Sequence, residues 1–106
     1  MTVPPIDISP ANWSIVHEIL QKHVPHHEVW AFGSRAKRTS WKYSDLDLAI
    51  ISDTPLSFKV RGDLMEDFSE SDLPFRVDLL DWASTQEDFR RIVESDKVIV
   101  QSKCVS

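Results

Sequence analysis

Val29-Trp30-Ala31-Phe32-Gly33-Ser34 and, after ten intervening residues, Asp45-Leu46-Asp47-Leu48-Ala49-Ile50-Ile51 decide how this chain folds. The first stretch is an apolar run closed by Gly-Ser. The second has strand propensity and carries two carboxylates one residue apart. A strand repeats every two residues, so Asp45 and Asp47 are expected on one face. Two anions placed side by side repel each other, and burial raises their pKa values unless a cation offsets the cost. Paired oxygen ligands suit a hard divalent ion such as magnesium, so the pair reads as a metal site.

The rest of the chain is built around these two stretches. Residues 28–32 and 46–51 read as strands, residues 34–37 as the start of a short helix, and residues 38–44 as a polar loop. Upstream, Ser9-Pro10 combines an N-cap hydroxyl with proline at the first helical position. Trp13, Val16, Ile19 and Leu20 then recur at helical spacing until Pro25. Downstream, Asp53-Thr54-Pro55 is a turn, and residues 57–68 carry a helical pattern through Phe58, Leu64, Met65 and Phe68. Gly62 weakens that helix by ~1 kcal/mol relative to alanine. Residues 75–80 read as a third strand. Ser84 with Glu87 makes a capping box for a helix using Phe89, Ile92 and Val93, and residues 98–100 add a last short strand. The order α-β-α-β-α-β-α-β, without repeat or linker, predicts a single domain over residues 1–106 with an α/β or α+β sheet covered by helices.

Length and charge narrow the function. A chain of 106 residues holds one modest core and leaves no room for a second domain that selects a substrate. No apolar stretch reaches the length of a membrane span, residues 1–10 lack the basic start and apolar core of a signal peptide, and Cys104 is alone. The expected compartment is the cytoplasm. A net charge of -5 argues against holding nucleic acid by general attraction, so no direct nucleic-acid binding is expected. The charge is uneven. Arg35, Lys37, Arg38 and Lys42 lie between the Gly-Ser and the Asp pair with no acidic residue among them, where a polyphosphate would need neutralising. Asp63, Glu66, Asp67, Glu70 and Asp72 form the opposite stretch, read as a solvated helix face.

A strand followed by Gly-Ser and a helix start offers free backbone N–H groups to phosphate oxygens. Gly33 removes side-chain bulk there, Ser34 adds a hydroxyl donor, and Arg35 and Lys37 add charge nearby. The segment from Gly33 to Thr39 has neither the second glycine nor the Lys-Ser/Thr pair of a P-loop. A third carboxylate is available at Asp78, in the next strand between Val77 and Leu79, where an unpaired charge is costly. Asp81, nearer the strand end, reads as a turn or helix cap. Asp45, Asp47 and Asp78 on neighbouring strands could hold two magnesium ions ~4 Å apart, the geometry of an in-line phosphoryl displacement. The alternative is three unrelated charges on strand edges.

Gly33-Ser34, ten residues, Asp45-Leu46-Asp47 and then Asp78 resembles the minimal nucleotidyltransferases, or MNT domains, of the DNA polymerase beta superfamily. The resemblance runs from the first helix to the Val77-Asp78-Leu79 strand. It implies a palm-like mixed sheet with helices mainly on one side, ATP as donor with magnesium, and nucleotidyl transfer to an acceptor. It further implies that Gly33 and Ser34, with Arg35 beside them, hold the triphosphate. Asp45 and Asp47 would bind metal, and Asp78 would bind metal or activate the acceptor. Small members resemble antitoxins paired with a HEPN-domain partner, and some add AMP to a tyrosine of it. Two departures stand out: many relatives carry a glycine soon after Gly-Ser-Arg-Ala, where this chain has Lys37-Arg38-Thr39, and larger relatives add a domain that selects the acceptor.

The expected function is therefore magnesium-dependent transfer of AMP from ATP to a HEPN-type partner, within a hetero-oligomer. The alternatives are a module that neutralises its partner by contact alone, or nucleotide addition to RNA or a small molecule. A haloacid-dehalogenase-like phosphatase is disfavoured because Asp45-Leu46-Asp47-Leu48-Ala49 ends in alanine and the chain is short for that fold. His23, His26 and His27 around Pro25 are explained by a solvated turn, since no cysteine or further histidine completes a zinc set. Trp41 either packs under its loop, the expected outcome, or stacks on an adenine. Trp30, Phe32 and Trp82 are core or interface residues.

Overall fold

The computed structural model describes residues 2–103, and Cys104 lies outside the described residues. The strands are β1 (Glu28–Phe32), β2 (Leu46–Ile51), β3 (Val77–Asp81) and β4 (Val98–Gln101). The α-helices are α1 (Pro10–His23), α2 (Gly33–Lys37), α3 (Phe58–Glu70) and α4 (Glu87–Asp96). The sheet order is β3-β2-β1-β4. β1 runs antiparallel to both β2 and β4, whereas β2 and β3 are parallel. A parallel pair needs a crossover, and α3 supplies it. The sheet is thus mixed, as expected.

Alternation along the strands sorts the apolar side chains into two layers. Val29, Ala31, Leu46, Leu48 and Ile50 join Trp13, Val16, Ile19 and Leu20 of α1 and Leu64 and Phe68 of α3 in the main core. Burying each such Val, Leu or Ile contributes ~1.5–3 kcal/mol. On the other face, Trp30 and Ala49 meet Val93 of α4, with Phe32, Ile51, Leu80 and Trp82 around them. That smaller cluster does not extend to Asp47. Ser9 and Ser57 cap α1 and α3 by accepting the amides of Asn12 and Val60.

The structure departs from the sequence expectation in the second half of the chain. β3 starts at Val77, because Phe75 is buried in the core beneath the Arg35 guanidinium, 3.9 Å from its ring centre. The capping box does not form: Trp82–Ser84 is a 3-10 turn, and Gln86 precedes α4 without a side-chain cap bond. Thr85 Oγ1 donates to the Asp81 carbonyl and Arg90 Nη2 to the Trp82 carbonyl, and these bonds hold the turn that the box would have replaced. Asp81 is buried, and its carboxylate accepts the Leu56 amide at 3.0 Å, anchoring the loop before α3 instead of capping its own turn. Gly62 behaves as expected. A Cβ there meets open space, so Gly62→Ala is expected to stabilise the chain by ~0.5–1 kcal/mol in urea unfolding.

Candidate active site

Strand register brings the end of β1 and the starts of β2 and β3 together. Asp47 pairs with Phe32 across the antiparallel ladder and with Asp78 across the parallel one. The next residue after Phe32 is Gly33, whose φ of 75° few side-chain-bearing residues adopt. A Cβ at Gly33 would also overlap Asp47 Oδ2. Glycine is therefore required twice, for its backbone angle and for the close approach of a carboxylate to the start of α2. Ser34 follows within that first turn, and the residue preceding the helix, Phe32, supplies no side-chain cap to its amides.

Asp47 is only partly exposed, and its pKa is pushed up to about 6, first by burial and then by the neighbouring charges of Asp78 and Asp45. All three causes act in the same direction, and none of them compensates the charge. Asp45 lies one residue ahead of β2, beside the Leu46 amide that donates to Arg76 O at 2.8 Å. Asp78 is half-exposed and lies 3.6 Å from Arg76. The structure thus sets Asp47 beside Asp78 with Asp45 close enough to perturb it. Among the described residues, no three acidic, histidine or cysteine side chains converge on one ion position. The donors still suit a hard divalent ion: they are anionic oxygens, and a cation would reverse the perturbation of Asp47.

Arg35 is placed differently from the sequence reading. It is buried, and its fork is used on main-chain oxygens: Nε donates to Ser44 O at 2.8 Å, Nη1 to Asp7 O at 2.6 Å and Nη2 to Lys42 O at 3.0 Å. Burial lowers its pKa, opposed by Asp7 and then Asp45. Three charge-assisted bonds and the Phe75 face occupy the guanidinium, which fixes the 38–44 loop up to the residue before Asp45. Arg35→Lys keeps the charge but not the fork. It is expected to lower the unfolding free energy by ~1–3 kcal/mol, read by urea denaturation.

Asp7 completes this clamp, and sequence reading missed it. Its carboxylate accepts the Ser40 hydroxyl at 2.8 Å and lies 3.6 Å from Arg38. The Ser40 hydroxyl, foremost, holds the Asp7 pKa below the ordinary aspartate value. The Asp7 amide donates to Arg35 O. Arg38 takes the left-handed φ of 62° that turns the chain out of α2. The remaining basic side chains of the stretch are engaged too, Lys37 with Asp96 and Lys42 over the Tyr43 ring.

Trp41 is 83% exposed, against the expectation that it packs under its loop. Arg35 supports that loop from within by its main chain, leaving the tryptophan outside. His23 pairs with Asp67 of α3, so this member of the histidine cluster bridges two helices. A cleft of about 760 Å³ opens beside Asp45 and Asp78, between β3 and α3. No helix among the described residues is long and apolar enough to cross a membrane.

A mixed four-stranded sheet that presents adjacent carboxylates opposite a Gly-Ser helix start is the framework of a nucleotidyltransferase. The chain belongs to the polymerase beta nucleotidyltransferase family, whose model matches residues 15–104. It is 59% identical over 98 residues to the probable protein adenylyltransferase MntA of Haemophilus influenzae, covering 92% of this chain and 86% of that one. A crystal structure of a toxin-antitoxin with AMP-PNP matches at 25% identity and a TM-score of 0.69, over 83% of this chain and 71% of that one. A chain of the structure described as tri-AMPylated Shewanella oneidensis HEPN toxin in complex with MNT antitoxin shares the fold, at 22% identity and a TM-score of 0.62, over 84% of this chain and 68% of that one.

Proposed function

We propose that this chain is a magnesium-dependent protein adenylyltransferase that moves AMP from ATP onto a tyrosine hydroxyl of a HEPN-type toxin and thereby acts as its antitoxin. One observation carries the reading: Asp47 lies against the backbone of Gly33 and in register with Asp78 on the neighbouring strand. The names borne by its relatives, an adenylyltransferase and toxin-antitoxin complexes, support it.

In this reading the Gly33 and Ser34 amides and the Ser34 hydroxyl bind phosphate oxygens. Two magnesium ions held by Asp45, Asp47 and Asp78 would neutralise the phosphates and favour ionisation of the attacking hydroxyl. The tyrosine oxygen forms a bond to the α-phosphorus as the bond to the β-phosphate oxygen breaks. Pyrophosphate leaves, and Asp78 accepts the phenolic proton and returns it to water. Arg35 acts as a positioning residue through the loop that leads to Asp45, so Arg35→Lys is expected to lower transfer while leaving the Kd for Mg-ATP unchanged. A phosphate ligand would show the reverse. The protein works in the cytoplasm, as one subunit of a hetero-oligomer with its acceptor, without binding nucleic acid.

Co-expression with the toxin encoded beside it, followed by intact mass of that toxin, tests the reading. AMP increments that disappear with Asp45→Asn and Asp47→Asn together are the expected result. An unmodified toxin, or one still neutralised by the double variant, would instead support neutralisation by contact.

A further inference from the structure

The cleft beside Asp45 and Asp78 is not lined by Gly33 or Ser34, the residues assigned to the phosphate oxygens, and its place in the sheet says what it is for. In-line displacement puts attacker and leaving group on opposite sides of the phosphorus. The pyrophosphate belongs at Gly33 and Ser34, on the β1 side of Asp47. The attacking hydroxyl must then approach from the β3 side, where β3 is the outermost strand.

The cleft runs along that edge. Its lining includes Val77, Asp78 and Leu79 of β3, Asp45, and Arg61 and Met65 of α3. Three consecutive residues of an edge strand offer main-chain groups that no other described strand pairs, a surface suited to an extended peptide and of little use to a nucleoside. Met65 is 54% exposed, a large flexible apolar side chain beside the strand. Arg61 enters no ion pair among the described residues.

We infer that this cleft is the acceptor site, in which an extended polypeptide segment of the partner lies along the β3 edge and delivers its tyrosine to Asp78. The inference rests on the adenylyltransferase reading and specifies where its protein substrate docks.

The test pairs Met65→Asp in the cleft with Ile92→Asp, an equally exposed change on α4 away from it. Transfer to the co-purified partner, the Kd for Mg-ATP by calorimetry, and photo-crosslinking from benzoylphenylalanine at each position are measured. Met65→Asp should cut kcat/KM for the partner by tenfold or more with the Mg-ATP Kd within twofold of the parent. Position 65 should crosslink the partner, and Ile92→Asp should leave transfer intact. A weakened Mg-ATP Kd in Met65→Asp would place the nucleoside in the cleft and overturn the proposal. So would unchanged transfer, or crosslinking from position 92 alone. A parent chain that binds Mg-ATP yet never modifies its partner would count against the adenylyltransferase reading itself, a result separate from any of these.

Discussion

Asp47→Asn should make the protein more stable and inactive at once. The native Asp47 carboxyl holds its proton to about pH 6, whereas an unfolded chain releases it near the ordinary aspartate value of ~3.9. Between those values the native state binds more protons than the unfolded one, so stability falls as pH rises through the window and levels off above it. Asparagine removes the charge that causes the fall. At pH 8 without divalent ions, Asp47→Asn is expected to be more stable than the parent by ~1–3 kcal/mol, with a Tm higher by several degrees. At pH 4 the two should melt together. Nucleotidyl transfer should drop by ~10³-fold or more, because a metal oxygen is lost from the reacting centre. Melting curves at both pH values with a transfer assay check all three expectations. A variant no more stable than the parent at pH 8 would show that Asp47 is not strained by its neighbours.

Gly33→Ala should do the opposite and damage both fold and activity. Alanine in the left-handed region costs ~1–2 kcal/mol, and its Cβ must displace the Asp47 carboxylate as well. A total loss of ~2–4 kcal/mol is expected, with transfer reduced at least as strongly as by loss of a phosphate contact. The two costs can be separated, because the overlapping atom is the end of a side chain. Adding Asp47→Ala to Gly33→Ala removes the overlap but not the backbone strain, so the double variant should recover ~1–2 kcal/mol relative to additivity in a double-mutant cycle. Strict additivity would mean that the carboxylate moves aside freely and that Gly33 is there for its backbone angle alone.

These two residues also show what was legible in the chain before its structure. β1, β2 and the short helix between them follow from apolar, strand-prone runs broken by Gly-Ser, and their ends fall where the pattern stops. That Asp78 would stand beside Asp47 required a register. A parallel pair takes its register from the crossover helix and its core contacts, which leave no local mark in the strand sequence. Arg35 failed for a different reason. Its partners are carbonyl oxygens of residues 7, 42 and 44, and a main-chain acceptor looks the same in every sequence. An arginine beside a phosphate-binding turn and an arginine clamping a loop are identical as letters. Asp7 was hidden by distance along the chain, since its partner Ser40 lies 33 residues away. The capping box at Ser84 and Glu87 was a sound local signal overruled by Arg90 and Thr85, which tie the turn to Trp82 and Asp81.

The clamp built by Arg35 gives the segment before α1 the character of a strap. Ile6 is buried in the main core and Asp7 fastens Ser40, so residues 6 and 7 hold a loop more than thirty positions away. Trimming the chain to Ser9 would leave the N-cap of α1 in place but unfasten the loop, which carries Arg38 and Lys42 as ready cleavage points for trypsin. The nicking rate near Lys42 would thus report a bond made at residue 7.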